Sequence, residues 1–378
     1  MEPQNKRKTL KRVLLYAGLI IIAFLAGLSG EFVTRTYLSK IAFFRDLYFT
    51  EADTSGQRQL VISQPNKVVV QQDTMVSQAA KDIQASVLGI YYQKKASKNL
   101  GDNLYLPTEM LGQALVLTSD GWLISSASGI GSGQGLAVYY NNKIYNVDKV
   151  VSDAATGATF LKINVQNLPV IKLADLQQVT LGQQVFVYDS YYQEINLANI
   201  IDRLYQPIFS KNDLTKYSQN FSRKILINKS LAANLAGSPV FDLAGEIVGL
   251  WSGAGNSLNS QVIPINYISP IISQILKGEK IQRPYLGIYY LNLAKTAAFS
   301  SDPNQASLKS GAYVQSVMVD SPLYGKIVKG DIILSIETQD IDEVNDLTDL
   351  LASYKSGQVI KLQYRHLDKE QEISITLK

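Results

Sequence analysis

Not one of the 378 residues is a cysteine, and only one, His366, is a histidine. The first absence removes disulfides, thiolate metal sites and cysteine nucleophiles together, and leaves the redox compartment open. The second narrows acid–base chemistry, because an imidazole is the commonest base near neutral pH. Charge is scarce as well: Asp, Glu, Lys and Arg make up 18% of the chain against 46% apolar residues, an ordinary globular composition, and the net charge is only +4. Nucleic-acid binding draws on a basic stripe along the folded surface and is not supported. No residue pattern implies a cofactor or a metal. At roughly 100–200 residues per domain, this length predicts two or three domains.

What the chain does have is one long apolar run. Lys6, Arg7, Lys8, Lys11 and Arg12 precede an uncharged stretch over 13–30, enough as a helix to cross most of a hydrocarbon core of about 30 Å. This predicts a cytoplasmic basic tail over 1–12, a transmembrane helix over 13–30 and, by the positive-inside tendency, an extracytoplasmic remainder. A cleaved signal peptide is the alternative, with Ala26, Gly27, Ser29 and Gly30 as the processing site. The anchor is favoured because signal-peptide apolar regions usually run about 7–15 residues. Residues 31–67 read as a juxtamembrane helix, near 38–47, followed by a spacer.

Beyond an amphipathic stretch at 77–86, short strand-like runs recur at 87–92, 114–117, 121–125, 135–140, 143–151, 159–163, 184–188, 223–227, 246–252 and 260–263. Polar turns such as Thr118-Ser119-Asp120-Gly121 and Asn141-Asn142 separate them. Many short strands with such spacing predict a mainly β fold, barrel or sandwich. Helical periodicity returns at 265–277 and ends in Gly278, a residue suited to a helix C-terminus.

Four segments carry a resemblance. Residues 112–125, GQALVLTSDGWLIS, look like an early hairpin written GSGFIISxDGYILT; 159–163, TFLKI, like DLAVLKI with its first residue changed; 236–250, AGSPVFDLAGEIVGL, like SGGPLxNxxGEVIGI; and 262–266, VIPIN, like AIPIN. Together they resemble the HtrA serine proteases, which implies a chymotrypsin-like double β-barrel over 68–278. At 283–288, RPYLGI is close to the opening of that family's PDZ domain, and GDIIL at 330–334 follows in order. The resemblance therefore implies a PDZ domain over 279–378.

A protease of this kind uses a serine nucleophile, an imidazole base and a buried carboxylate. The resemblance puts Ser128 at the histidine position, Gly157 at the aspartate position and Ala236 at the nucleophile position, so all three triad residues are replaced. Ser238 is the only fallback nucleophile, and a serine without an adjacent base attacks amides negligibly. Lys162 or Lys229 as a base is the remaining alternative; His366 reads as a surface residue at a strand end or turn. In the oxyanion loop, Asn234 tolerates a left-handed backbone, which allows the turn to persist. Tyr191 and Tyr192 read either as packing residues or as aromatics over the former cleft.

In the carboxyl-terminal domain the resemblance implies a peptide site at Tyr285, Leu286, Gly287 and Ile288, where backbone amides hold a terminal carboxylate and the peptide adds as a strand. Leu347, Leu350 and Leu351, on an amphipathic helix over 344–354, read equally as core and as groove lining. The resulting expectation is a membrane-anchored pseudoprotease that binds unfolded polypeptides or C-terminal tails, in envelope protein quality control or in regulation of an active relative. The resemblance also implies a homotrimer or a mixed assembly. An active endopeptidase with a non-standard nucleophile and base is the alternative, and a structural spacer in an envelope complex is a third reading.

Overall fold

The computed structural model describes residues 66–130, 135–208, 210–295, 310–367 and 369–378. The expected basic tail, the transmembrane helix over 13–30 and the juxtamembrane helix near 38–47 lie outside them. Among the described residues no helix is long and apolar enough to cross a membrane.

Helix α1 (Asn66–Ile83) leads into six strands: β1 (Val87–Tyr92), β2 (Gly112–Val116), β3 (Trp122–Ser126), β4 (Leu136–Tyr140), β5 (Lys143–Asp153) and β6 (Ala158–Ile163). Turn chemistry spaces them. Asn141 and Asn142 take φ of 47° and 58°, the positive values a two-residue hairpin needs. Gly121 takes φ 104°, where a Cβ would lie 2.2 Å from the Ile163 carbonyl oxygen. The strands close into a barrel in the order β1-β2-β3-β6-β5-β4 around Leu88, Ile90, Leu123, Val138 and Leu161.

Then come β7 (Gln184–Asp189), β8 (Glu194–Tyr205), the short β9 (Thr215–Tyr217), β10 (Lys224–Ile227), β11 (Pro239–Asp242), β12 (Ile247–Gly255) and β13 (Ser260–Pro264). All but β9 close a second barrel, ordered β10-β13-β12-β11-β7-β8, around Val185, Ile200, Ile225, Val240 and Val262. A third core joins the two barrels. Phe160, Phe186 and Phe241, none of them exposed, pack there with Ile263, with Ala79 and Ile83 of α1, and with Ile271 and Ile275 of α2 (Ser269–Leu276). Each fully buried side chain of this size contributes about 1.5–3 kcal/mol. The expected chymotrypsin-like double barrel is thus formed, with an apolar core between its halves.

The helix expected over 265–277 is split. Ile265–Tyr267 form a 3-10 turn and α2 starts afterwards with Pro270 in its first turn, because proline has no N–H to continue the helical bonding back into 265–267. Gly278 does end it, at φ 71°. Strand β8 had no counterpart in the sequence reading: much of it is exposed or half-exposed, so its apolar residues do not alternate cleanly.

The carboxyl-terminal sheet contains β14 (Ile288–Asn292), β15 (Ala312–Val317), β16 (Ile332–Ile336), β17 (Gln339–Asp340), β18 (Val359–His366) and β19 (Lys369–Thr376). It runs β19-β18-β16-β15-β14 and ends on β9, the strand that the barrel region contributes; β17 pairs with β16. Helix α3 (Leu347–Leu351) covers one face. Arg283, just before β14, pairs with the buried Asp153 of β5 and lies 4.5 Å from the centroid of the Phe221 ring. Asp153 keeps the Thr156 hydroxyl and the Ala155 amide when Arg283 is removed, so the loss is limited. Arg283→Ala is expected to cost about 2 kcal/mol in urea unfolding, the worth of a charged hydrogen bond; no change would mean the pair is incidental.

Candidate functional site

The structure brings the three residues expected at the triad positions close to one another. Ser128 lies on the 3-10 turn Ala127–Gly129 that follows β3, and Ala236 directly follows the turn Ala233–Leu235. Both face Gly253, at φ 79°: a Cβ there would lie 2.1 Å from Ser128 Oγ and 3.5 Å from Ala236 Cβ. Gly157, at φ 80°, accepts the Ala127 N–H on its carbonyl oxygen at 2.8 Å. Ser128 Oγ donates to the Ser252 carbonyl oxygen at 2.5 Å and lies 2.9 Å from Ser126 Oγ.

The amides beside Ala236 are already used. Leu235 N–H donates to Ala232 O at 2.9 Å, Ala236 N–H to Ala233 O at 3.0 Å, and Ser238 N–H to Leu235 O at 2.9 Å. Stabilising an oxyanion takes donors aimed at empty space where charge develops, and these are aimed back into their own turn. Asn234 is not among the residues with positive φ. The expectation that it would keep a left-handed turn is corrected: the segment takes up a right-handed 3-10 turn that satisfies itself.

Ser238 is fully buried and its hydroxyl donates to Leu235 O at 2.5 Å. Lys162 Nζ reaches the carbonyl oxygens of Asp120 and Ile163, at 2.5 and 3.1 Å. Lys229 is half-buried, and its carbonyl oxygen accepts from Ser260 Oγ. His366 ends β18, with Nδ1 2.7 Å from Asp331 Oδ1. Tyr191 and Tyr192 stand partly exposed on the β7–β8 hairpin, edge to face at 5.3 Å, with Asp189 Oδ1 accepting both their amides. Among the described residues no group of three or more His, Asp or Glu is arranged to hold a metal ion.

The second site lies in the carboxyl-terminal sheet. Leu286 is fully buried, and Gly287 turns at φ 67°. Tyr285 donates its hydroxyl to Asp320 at 2.6 Å, and burial followed by that contact raises its pKa. The edge of β14 beyond Ile288 is paired along its length. Tyr289, Tyr290 and Leu291 lie opposite Tyr217, Lys216 and Thr215, antiparallel, and the rings of Tyr217 and Tyr289 stack at 4.9 Å. Ser218 N–H donates to Ile288 O at 3.0 Å; Gln219 Oε1 accepts the Gly287 N–H and Ser218 Oγ the Ile288 N–H, both at 3.2 Å.

Leu347, Leu350 and Leu351 are all in the core of this domain. The helix instead offers two carboxylates to the barrel region, one of them to the paired strand. Asp346, capping α3, accepts from Lys216 Nζ at 2.5 Å and from Arg223 Nη2 at 3.2 Å, and also from the hydroxyl of the buried Tyr290. Asp349 pairs with Arg223 and with the Tyr267 hydroxyl. Burial drives the Asp346 carboxyl upward, but Lys216 and Arg223 outweigh it and hold it well below the ordinary range. Burial depresses the Lys216 ammonium more than Asp346 lifts it; the short Lys216–Asp346 contact, shared with Arg223, favours the ionised pair. Neither carboxylate was singled out from the sequence. Their spacing of three on a predicted helix, which sets both on one face, was the available signal.

Comparison with known proteins agrees with this architecture. The PDZ domain family matches residues 284–377. A probable periplasmic serine endoprotease, DegP-like, from Pseudomonas putida is 25% identical over 276 residues, 71% of this chain and 56% of its own length. Serine endoprotease DegS of Haemophilus influenzae is 22% identical over 325 residues, 82% of this chain and 90% of its own. The chain is similar to HtrA-type serine endoproteases over most of its length and carries a PDZ match at its carboxyl-terminal end. It spans about half the length of the DegP-like relatives it matches (56%). Among solved structures, the HtrA-type protease AlgW with tripeptide is similar at TM-score 0.58 and 18% identity, covering 80% of this chain and 96% of that one. A serine endoprotease from Yersinia pestis is similar at TM-score 0.51 and 17% identity, covering 80% and 97%. These structural likenesses carry the fold of the HtrA type, a double barrel followed by a PDZ domain.

Proposed function

We propose that this HtrA-type chain is a catalytically inactive, membrane-anchored protein that binds polypeptides through its PDZ domain outside the cytoplasm, in envelope protein quality control or in regulation of an active relative. One observation carries the first part: the convergent positions Ser128, Gly157 and Ala236 bear a hydroxyl hydrogen-bonded to a carbonyl oxygen, a hydrogen and a methyl group, and among the described residues no base is hydrogen-bonded to Ser126, Ser128 or Ser238. The self-satisfied amides around Ala236 support the same reading. The alternative, an active peptidase built on Ser238, has against it that this hydroxyl is buried and held by Leu235 O. His366, the one imidazole, is held by Asp331 in the other domain.

Peptide binding is supported by the PDZ match and by the neighbouring HtrA-type structures solved with a tripeptide or a decapeptide. An extracytoplasmic setting is supported by the naming of DegP-like relatives as periplasmic and by the basic flank and apolar run over 6–30.

Incubating the full-length chain with unfolded casein is the direct test. Casein is expected to remain intact, at a rate indistinguishable from a protein-free control, and Ala236→Ser is expected to leave it intact too, since a serine without a base gains little nucleophilicity. Cleavage by the unmodified chain that disappears in Ser238→Ala would establish the peptidase instead.

A further inference from the structure

The strand that fills the edge of β14 has the attributes of a bound peptide end. It runs antiparallel to β14, as an added ligand strand does, and the strand pairing stops at Tyr217, just before the side chains that take the amides of Gly287 and Ile288. Gln219 Oε1 and Ser218 Oγ stand on those two amides, as the two oxygens of a terminal carboxylate would. Ser218, donating to Ile288 O, holds the place of a last residue; Lys216, two residues earlier, meets Asp346.

We propose that residues 215–219 are a ligand in cis, a stand-in for a peptide carboxyl terminus, and that an outside tail with a free carboxylate and a Lys or Arg two residues before its end displaces them. This inference rests on the PDZ domain being a reader of polypeptide tails. Two features make the strap replaceable. Its oxygens on the loop belong to a neutral amide and a hydroxyl, and an ionised carboxylate makes hydrogen bonds about twice as strong. Ser218 is buried, but the three paired residues are only partly so, and a cavity of about 320 Å³, lined by Gln206, Asn212, Thr215, Lys216, Tyr217 and Gln261, runs alongside. The cation is specified by the groove: Asp346 pairs with Lys216 directly, Asp349 lines the same small space, and a tail carrying Glu at the Lys216 place would set a third carboxylate near them.

The experiment uses the full-length chain in detergent micelles and fluorescein-labelled decapeptides. One peptide ends in Lys-Ala-Ser with a free carboxylate, a second has Glu for that Lys, and a third is amidated at its end. Two variants release the strap differently: Lys216→Glu by charge, and the double change Ser218→Ala with Gln219→Ala by removing its hold on the loop. The Lys peptide is expected to bind Lys216→Glu at least tenfold tighter, and the double variant several-fold tighter, than the unmodified chain; the Glu and amidated peptides are expected to bind at least tenfold more weakly than the Lys peptide. Hydrogen exchange at β14 amides reports strap release. Equal binding to all three proteins with the strap released would overturn the cis-ligand inference while leaving peptide reading intact. No binding of any peptide with the strap released would overturn peptide reading itself. Continued protection of β14 in both variants at saturating peptide would make the strap a permanent strand and also overturn the inference, as would indifference to Lys against Glu.

Discussion

Arg223→Ala is expected to lower the folding stability by about 3–5 kcal/mol, the usual cost of removing one partner from a buried ion pair. The guanidinium is almost fully buried and serves two carboxylates, Asp346 and Asp349, while also donating to the carbonyl oxygens of Val344 and Glu343. Deleting it leaves Asp346 with Lys216 as its one cation, Asp349 with only the Tyr267 hydroxyl, and two carbonyl groups without that donor. The pH dependence of this loss has a definite sign. Burial, the strongest influence on Asp349, already raises its carboxyl, and Arg223 opposes that. Without Arg223 the value rises further above that of the unfolded chain. The folded variant then binds more protons than the unfolded one, and acidification stabilises it. The gap between variant and parent, measured by urea unfolding, is therefore expected to shrink between pH 7 and pH 5. In the parent, Asp346 behaves oppositely: its depressed value makes its contribution complete above about pH 4 and lost as pH falls further. A gap that is the same at both pH values would show that Arg223 acts through packing rather than charge.

Gly237→Ala is the second large effect, at about 3–4 kcal/mol. Gly237 turns at φ 80° between Ala236 and Ser238, and an added Cβ would lie 2.0 Å from Ser125 Oγ, 2.7 Å from the Gln113 carbonyl oxygen and 2.8 Å from the Ser126 amide nitrogen. Two of those atoms are backbone, so β2 and β3 must shift. Overpacking of this kind costs about 1–3 kcal/mol, and a side chain in left-handed backbone about 1–2 more. Gly182→Ala is the control. It has the same φ of 80° and nothing within 4 Å of the added atom, so only the backbone cost of about 1–2 kcal/mol applies. Equal losses in the two variants, read by thermal or urea unfolding, would contradict the close approach between the turn and the first barrel.

How far the site could be read from the sequence depended on whether its parts were local. Gly121, Asn141 and Asn142 are legible because a hairpin turn needs its special backbone wherever the hairpin sits. The motif around Ala236 was legible for the same reason. Its consequence, amides folded back on Ala232 and Ala233, was not, since a 3-10 turn and an open loop differ only in which neighbour each N–H finds. Leu347, Leu350 and Leu351 could be placed on one helix but not apportioned between core and groove. The strap escaped entirely: Thr215, Lys216 and Tyr217 carry no period of their own over three residues, and their partner strand is far along the chain.

The chain's order of residues was sufficient for the composition of its chemistry: no cysteine, one histidine, and a serine, a glycine and an alanine at the positions where a working triad is expected. Those are properties of identity and spacing, which survive unfolding. That Ser128 and Ala236 meet over Gly253, that His366 turns instead to Asp331, and that the edge of β14 is covered by β9 with Lys216 against Asp346 are properties of the tertiary structure alone. Each joins residues distant in sequence, and only the packing of separate elements decides which buried charges and open backbone groups become neighbours.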